Sequence, residues 1–195
     1  MARPRKFDEA QVLDAVRDEF WARGYAATSL DDLMRATGLG KGSLYGAFGG
    51  KRELFLRVLG EYAGQRVDGA RRALSGDGPA IDRLRNVFDP PENPDAGAGP
   101  PGRGCLLANS STELAARDDE VGDCARRTYQ AVEDLLAGVI EQAVAEGGLP
   151  ATTEPRELAR LLLAIQQGVE FLGKTGMEPG GLRQIGRSAA TALLR

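Results

Sequence analysis

Cys105 and Cys124 are the strongest nucleophiles in this chain, and it contains no histidine to activate either. That absence decides a good deal. A Ser-His-Asp triad, a histidine general base, a histidine-ligated zinc and a proximal-histidine haem all need an imidazole. Two cysteines build neither a four-thiolate zinc site nor a disulfide framework. Glu113, Asp118, Asp119 and Glu120 read most simply as a solvated, helix-capping cluster. The chain carries no recognisable nucleophile motif or phosphate-binding loop, so neither enzyme chemistry nor a bound cofactor or metal is expected.

A second group of residues suits a different task. Within Lys41-Gly42-Ser43-Leu44-Tyr45-Gly46, Lys41 and Tyr45 can reach a phosphate or a base. Ser43 is a short donor and acceptor that suits either kind of base edge. Gly42 and Gly46 let a helix backbone approach DNA closely. These side chains work together only on one short helix, which places the question on the elements that hold them.

Helical periodicity dominates, and no run of period-2 alternation competes with it. A first helix is expected from about Asp8 to Arg23, with Val12, Leu13, Val16 and Phe20 on one face. Thr28 and Ser29 stand three residues before Asp31 and Asp32, the spacing of a capping box. The helix they open is short, because Gly38 and Gly40 follow. A third helix from Lys41 buries Leu44 and Phe48 and stops at Gly49-Gly50. A longer one begins near Lys51. Three helices in some fifty residues, the second and third joined by a glycine-containing turn, match a helix-turn-helix.

Beyond Leu74 the character changes. Ala80–Phe88 is amphipathic, and Asp89–Arg103, with five prolines, reads as a mobile loop. Helices are expected at Cys105–Arg117, after a cap at Asp118 or Asp119, and from Pro155 at a first turn. A last helix carries Leu182, Ile185, Ala189, Leu193 and Leu194. The expected fold is all-α: an N-terminal helix-turn-helix domain plus a larger helical-bundle regulatory domain, about nine helices in all. The expected division is residues 1–50, a linking helix at 51–75, and an effector-binding and dimerisation part at 76–195.

Thr28-Ser29-Leu30-Asp31-Asp32-Leu33, followed by GLGKGSLYGAFGGKRELF from Gly38 to Phe55, resembles the DNA-binding domain of the TetR family of bacterial repressors. The resemblance implies a homodimeric repressor whose second part binds a small molecule and whose last two helices form the dimer interface. By position in the motif, Lys41, Gly42, Ser43, Leu44 and Tyr45 fall on the recognition helix. Thr28 falls at a cap that touches phosphate, and Lys51 at a helix start that does the same. Arg3, Arg5 and Lys6 are expected to work as an arm along the backbone or minor groove. The chain departs from many members at Gly40, where they carry Ser or Ala, and at Gly46, where they carry a larger side chain. Both departures bear on which bases are read.

The segment RGCLLANSSTELAARDDEVG, Arg103 to Gly122, is similar to one found in a branch of that family. Some members of the branch respond to electrophiles or oxidants through a cysteine at the position of Cys105. A thiol at a helix N-terminus is also expected to have a lowered pKa, with Arg103 and Lys174 as further partners for its thiolate. The plainer reading makes Cys105 and Cys124 small buried hydrophobes. A conventional pocket would draw on Asn109, Tyr129 and Gln166, polar groups on or near apolar stripes; each is equally an ordinary hydrogen-bonded core group.

Net charge is −3, yet residues 1–60 hold 10 Lys and Arg against 8 Asp and Glu. A basic module on an acidic body fits a DNA reader. The expected partners are a double-stranded operator, a small-molecule effector and a second copy of the chain. No membrane span is expected, and the compartment expected is the cytoplasm. Two-fold symmetry predicts a pseudo-palindromic operator read at points roughly 34–36 Å apart or a multiple of that.

Overall fold

Asp8 opens the first helix of the computed structural model, which describes residues 7–88 and 102–195. Its carboxylate accepts the amides of Ala10 and Gln11, and α1 (Glu9–Arg23) then runs to Gly24, whose φ of 80° suits glycine. In α2 (Leu30–Thr37) the cap is Ser29 and its reciprocal partner is Asp32. Gly38, left-handed at φ 68°, ends it. Then come α3 (Lys41–Phe48), which lacks a side-chain cap at Gly40, and α4 (Lys51–Leu74), where Glu53 reaches back to the Gly50 amide.

The rest is α5 (Ala80–Phe88), α6 (Leu106–Leu114), α7 (Asp119–Ala145), α8 (Pro155–Lys174) and α9 (Pro179–Leu193). Among the described residues there are nine helices and no strand, so the all-α expectation holds. Asp118 caps α7, and Pro155 sits in the first turn of α8. The sixth helix is shorter than the sequence suggests: it ends at Leu114 rather than Arg117. Arg3, Arg5 and Lys6, and residues 89–101 of the proline-rich segment, lie outside the described residues.

Two apolar clusters hold the molecule together. The first joins Val16, Phe20, Leu33, Leu44, Phe55 and Leu59 to Cys105, Leu106, Leu107 and Val121. The first turns of α6 and α7 therefore complete the core under the three N-terminal helices. Phe20 and Phe55 meet edge to face with ring centres 5.1 Å apart. The second cluster gathers Leu84, Phe88, Leu136, Ile140, Leu162 and Leu194 around α7. Burying each such side chain contributes about 1.5–3 kcal/mol. No helix among the described residues is long and apolar enough to cross a membrane.

Candidate DNA-reading helix and effector cleft

Leu44 and Phe48, 2% and 7% exposed, pin α3 to the core. That anchoring turns Lys41, Gly42, Ser43, Tyr45 and Gly46 to the surface, all of them exposed. Tyr45 is 46% exposed, and the Lys41 ammonium stands 5.8 Å from its ring centre. Lys51, in the first turn of α4, places its ammonium 4.3 Å from the Tyr25 ring centre. A cation there opposes the helix dipole, so its attraction is to the aromatic face or to an external anion.

Two expected DNA contacts lie elsewhere. Leu44 is core, so it orients α3 and does not face outward. Thr28 is fully buried, its hydroxyl donating to the Gly24 carbonyl at 2.7 Å, and the capping position belongs to Ser29. Thr28 thus locks the α1–α2 turn, with its hydroxyl turned inward and not to the surface.

A cleft of about 420 Å³ opens between the end of α1, the stretch from Gly102 through α6, and the end of α8. Cys105, Asn109 and Glu113 line it at four-residue spacing, along one face of α6. Phe20, Trp21, Leu106 and Phe171 supply apolar wall. Asn109 donates to the Arg103 carbonyl at 3.0 Å and accepts from the Lys174 ammonium at 2.9 Å. Lys174 therefore engages an amide, and not the thiolate expected of Cys105.

The cysteine departs from the activated-thiol expectation and matches the plainer one of a small buried group. Its sulfur does cap α6, accepting the Ala108 amide, and the Tyr62 hydroxyl lies 3.6 Å away. Yet Cys105 is only 3% exposed. Burial, aided by the negative charge of Glu170, pushes the thiol up, outweighing Arg66 and the helix amide. The helix dipole loses to desolvation. Cys124 is half-buried and its thiol is likewise raised by burial.

Gln166 does not line the cleft; its neighbour Gln167 does. The Tyr129 hydroxyl donates to Gln167 Oε1 at 3.2 Å, and Gln167 in turn donates to Glu170 at 3.3 Å. Glu170 also accepts from Arg66 at 2.5 Å, with both side chains largely buried. Tyr129 stands behind this row, on a shallower hollow shared with Arg160 and Leu163.

Four polar ties fasten α1 to α4 and the turns between them to the rest of the bundle, none of them anticipated. Glu113 accepts the amides of Tyr25 and Ala26 at 2.9 and 2.6 Å. Trp21 donates to the Gly104 carbonyl at 3.0 Å. Arg52 clasps both oxygens of Asp118 at 3.0 Å and reaches Glu120 at 2.9 Å. Arg103 pairs with Asp18 at 3.2 Å. These are contacts across about 66 to 88 residues, which no local spacing encodes.

Known proteins share this fold. Residues 12–58 match the family described as bacterial regulatory proteins, tetR family, and residues 80–185 match the tetracyclin repressor-like C-terminal domain. The chain is 29% identical over 191 residues to the HTH-type transcriptional repressor ComR of Escherichia coli K12, covering 94% of this chain and 87% of that one. It is 30% identical to the HTH-type transcriptional regulator YezE of Bacillus subtilis 168, covering 89% and 90%. Among solved structures, a cysteine mutant of the TetR family regulator CifR, complexed with 26-bp operator DNA, superposes with a TM-score of 0.82. That pair is 27% identical, covering 98% of this chain and all of the other. The chain belongs to the TetR family of bacterial regulatory proteins, and it is a DNA-binding helix-turn-helix transcriptional regulator rather than an enzyme.

Proposed function

We propose that the protein is a homodimeric repressor, released from a pseudo-palindromic operator when a small molecule enters the cleft between α1, α6 and α8. Residues 1–50 form the reading head, 51–75 the linking helix, and 76–195 the effector-binding and dimerisation part. Lys41, Gly42, Ser43 and Tyr45 face the operator, and Lys51 steadies a phosphate. The second copy docks on α8 and α9, where Leu161 of α8 stands 45% exposed. Repression is the activity of ComR, a relative similar over most of this chain.

The observation that carries this reading is the row Cys105, Asn109, Glu113. Its near end borders the cleft, and its far end holds the backbone of Tyr25 and Ala26. A ligand that displaces α6 moves the entrance of the helix-turn-helix with it. Such a ligand shifts the equilibrium only as far as it prefers the displaced state. Filling the cleft covalently tests this. Asn109→Trp is expected to weaken a selected operator at least about fivefold while the protein stays folded. Unchanged affinity in a folded Asn109→Trp protein overturns the reading.

A second reading makes Cys105 itself the trigger, through oxidation or electrophile modification. Its place on the cleft wall favours this; its burial and raised pKa count against it.

A further inference from the structure

Charge in the cleft is unevenly matched. Arg23 pairs with Glu19 and Asp32, Arg103 with Asp18, and Glu170 with Arg66. Glu113 spends both oxygens on backbone amides. Lys174 is different. Among the described residues its ammonium meets only the neutral Asn109 carbonyl oxygen and no carboxylate. Its stem lies on Gly104, where a side-chain carbon would sit 3.2 Å from Lys174 Cβ, so the chain is held at the cleft rim. An ammonium has three donors, and one is used here.

Behind the rim stands a second cation. Arg66, with five donors, gives a single hydrogen bond, to one oxygen of Glu170. Glu170 lines the cleft and accepts from Arg66 behind it. The rest of the wall mixes apolar side chains, Trp21, Leu106 and Phe171 among them, with the polar Ser110, Thr112 and Gln167. A cleft of about 420 Å³ matches a ligand of drug-like size or smaller.

We propose that the cleft binds an organic anion, a carboxylate on an apolar body, with its charged end at Lys174 and its body against Phe171 and the edge of Trp21. This rests on the cleft being the effector site, and it adds the chemical class of the effector. A carboxylate gains a charge-assisted bond from Lys174 without displacing an existing ion pair, whereas a cation would meet an unpaired ammonium. A neutral amide of the same shape keeps the apolar contacts and loses that bond.

The matched probes are biphenyl-4-carboxylate and biphenyl-4-carboxamide, titrated into the full chain by calorimetry, with operator release followed separately. The carboxylate is expected to bind about tenfold tighter than the amide. Lys174→Met, which keeps the stem over Gly104, is expected to erase that preference while leaving amide binding in place. Raising salt weakens the carboxylate and not the amide. Equal binding of the two probes, a preference that survives Lys174→Met, or binding of neither overturns the proposal. Operator release separates it from the effector reading. Lys174-dependent binding that leaves the operator bound upholds the anion site and contradicts release through this cleft. Release by both probes alike does the reverse.

Discussion

The Glu113 carboxylate accepts the backbone amides of both Tyr25 and Ala26, so one side chain of α6 holds the turn that leads into the helix-turn-helix. Gly24, just before that turn, has a φ of 80°, and a side-chain carbon there would lie 2.8 Å from Glu113 Oε2. Glycine is required twice over, by backbone conformation and by the carboxylate. The tie links a cleft residue to the reading head.

Cutting that tie has a local signature. In Glu113→Ala, the amides of Tyr25 and Ala26 are expected to exchange with solvent about tenfold faster, while amides in the middle of α7 keep their protection. Hydrogen exchange resolved by residue checks it. Unchanged exchange at Tyr25 and Ala26 means that the carboxylate does not hold the turn in solution.

Acid is expected to loosen the head from both of its capped ends. The hydrogen bonds from Ser29, helped by Arg23 and Arg35, hold the Asp32 carboxyl down at about 2. The Arg52 guanidinium, with the α7 amides, holds Asp118 low as well. Both shifts are depressions. Their stabilisation is complete above the ordinary carboxylate value of 3.8 and is lost as pH falls through the folded-state values. Urea midpoints between pH 6 and pH 2.5 check the sign: Asp32→Asn should flatten the acid side of the profile.

α9 meets the end of α5 without room to spare. A side-chain carbon on Gly186 would sit 2.3 Å from the Phe88 carbonyl oxygen, a backbone atom that cannot swing aside. Gly186→Ala is expected to destabilise by about 1–3 kcal/mol, the usual cost of overpacking. Gly180→Ala, at an open helix position, serves as the control. Equal midpoints for the two variants in thermal unfolding contradict this packing.

Cys105 should react slowly. With the thiol buried and its pKa raised, alkylation by iodoacetamide at pH 7.5 is expected to run at least about tenfold slower than for a free thiol. Peptide mapping of the alkylated protein measures it. A rate above that of free cysteine revives the thiol-switched reading.

Much of the fold was legible because its punctuation is local. Asp8, the Ser29–Asp32 pair, Gly38, Gly49 and Pro155 each mark a helix end through their own backbone or side chain. What escaped was set by tertiary packing. Thr28 and Ser29 are interchangeable as caps on paper, and burial against Gly24 decides between them. Gln166 and Gln167 differ by one residue, about 100° around α8, and only the second faces Tyr129. Glu113 reads as a surface acid until the turn at Tyr25 is folded beside it. Cys105 sits where a helix start would activate a thiol, and the depth of its burial is invisible in the sequence.

The central claim is that the exposed face of α3 reads a two-fold operator. In vitro selection of random duplex DNA by the intact, reduced protein tests it, followed by affinity measurement across salt concentrations. The account predicts a pseudo-palindrome with half-sites about one turn, or a multiple of it, apart. It also predicts that Lys41→Ala with Tyr45→Ala weakens binding at least about tenfold and lowers the salt slope by about 1. A selected site without two-fold symmetry, or a double variant that binds it as tightly as the parent, contradicts the account.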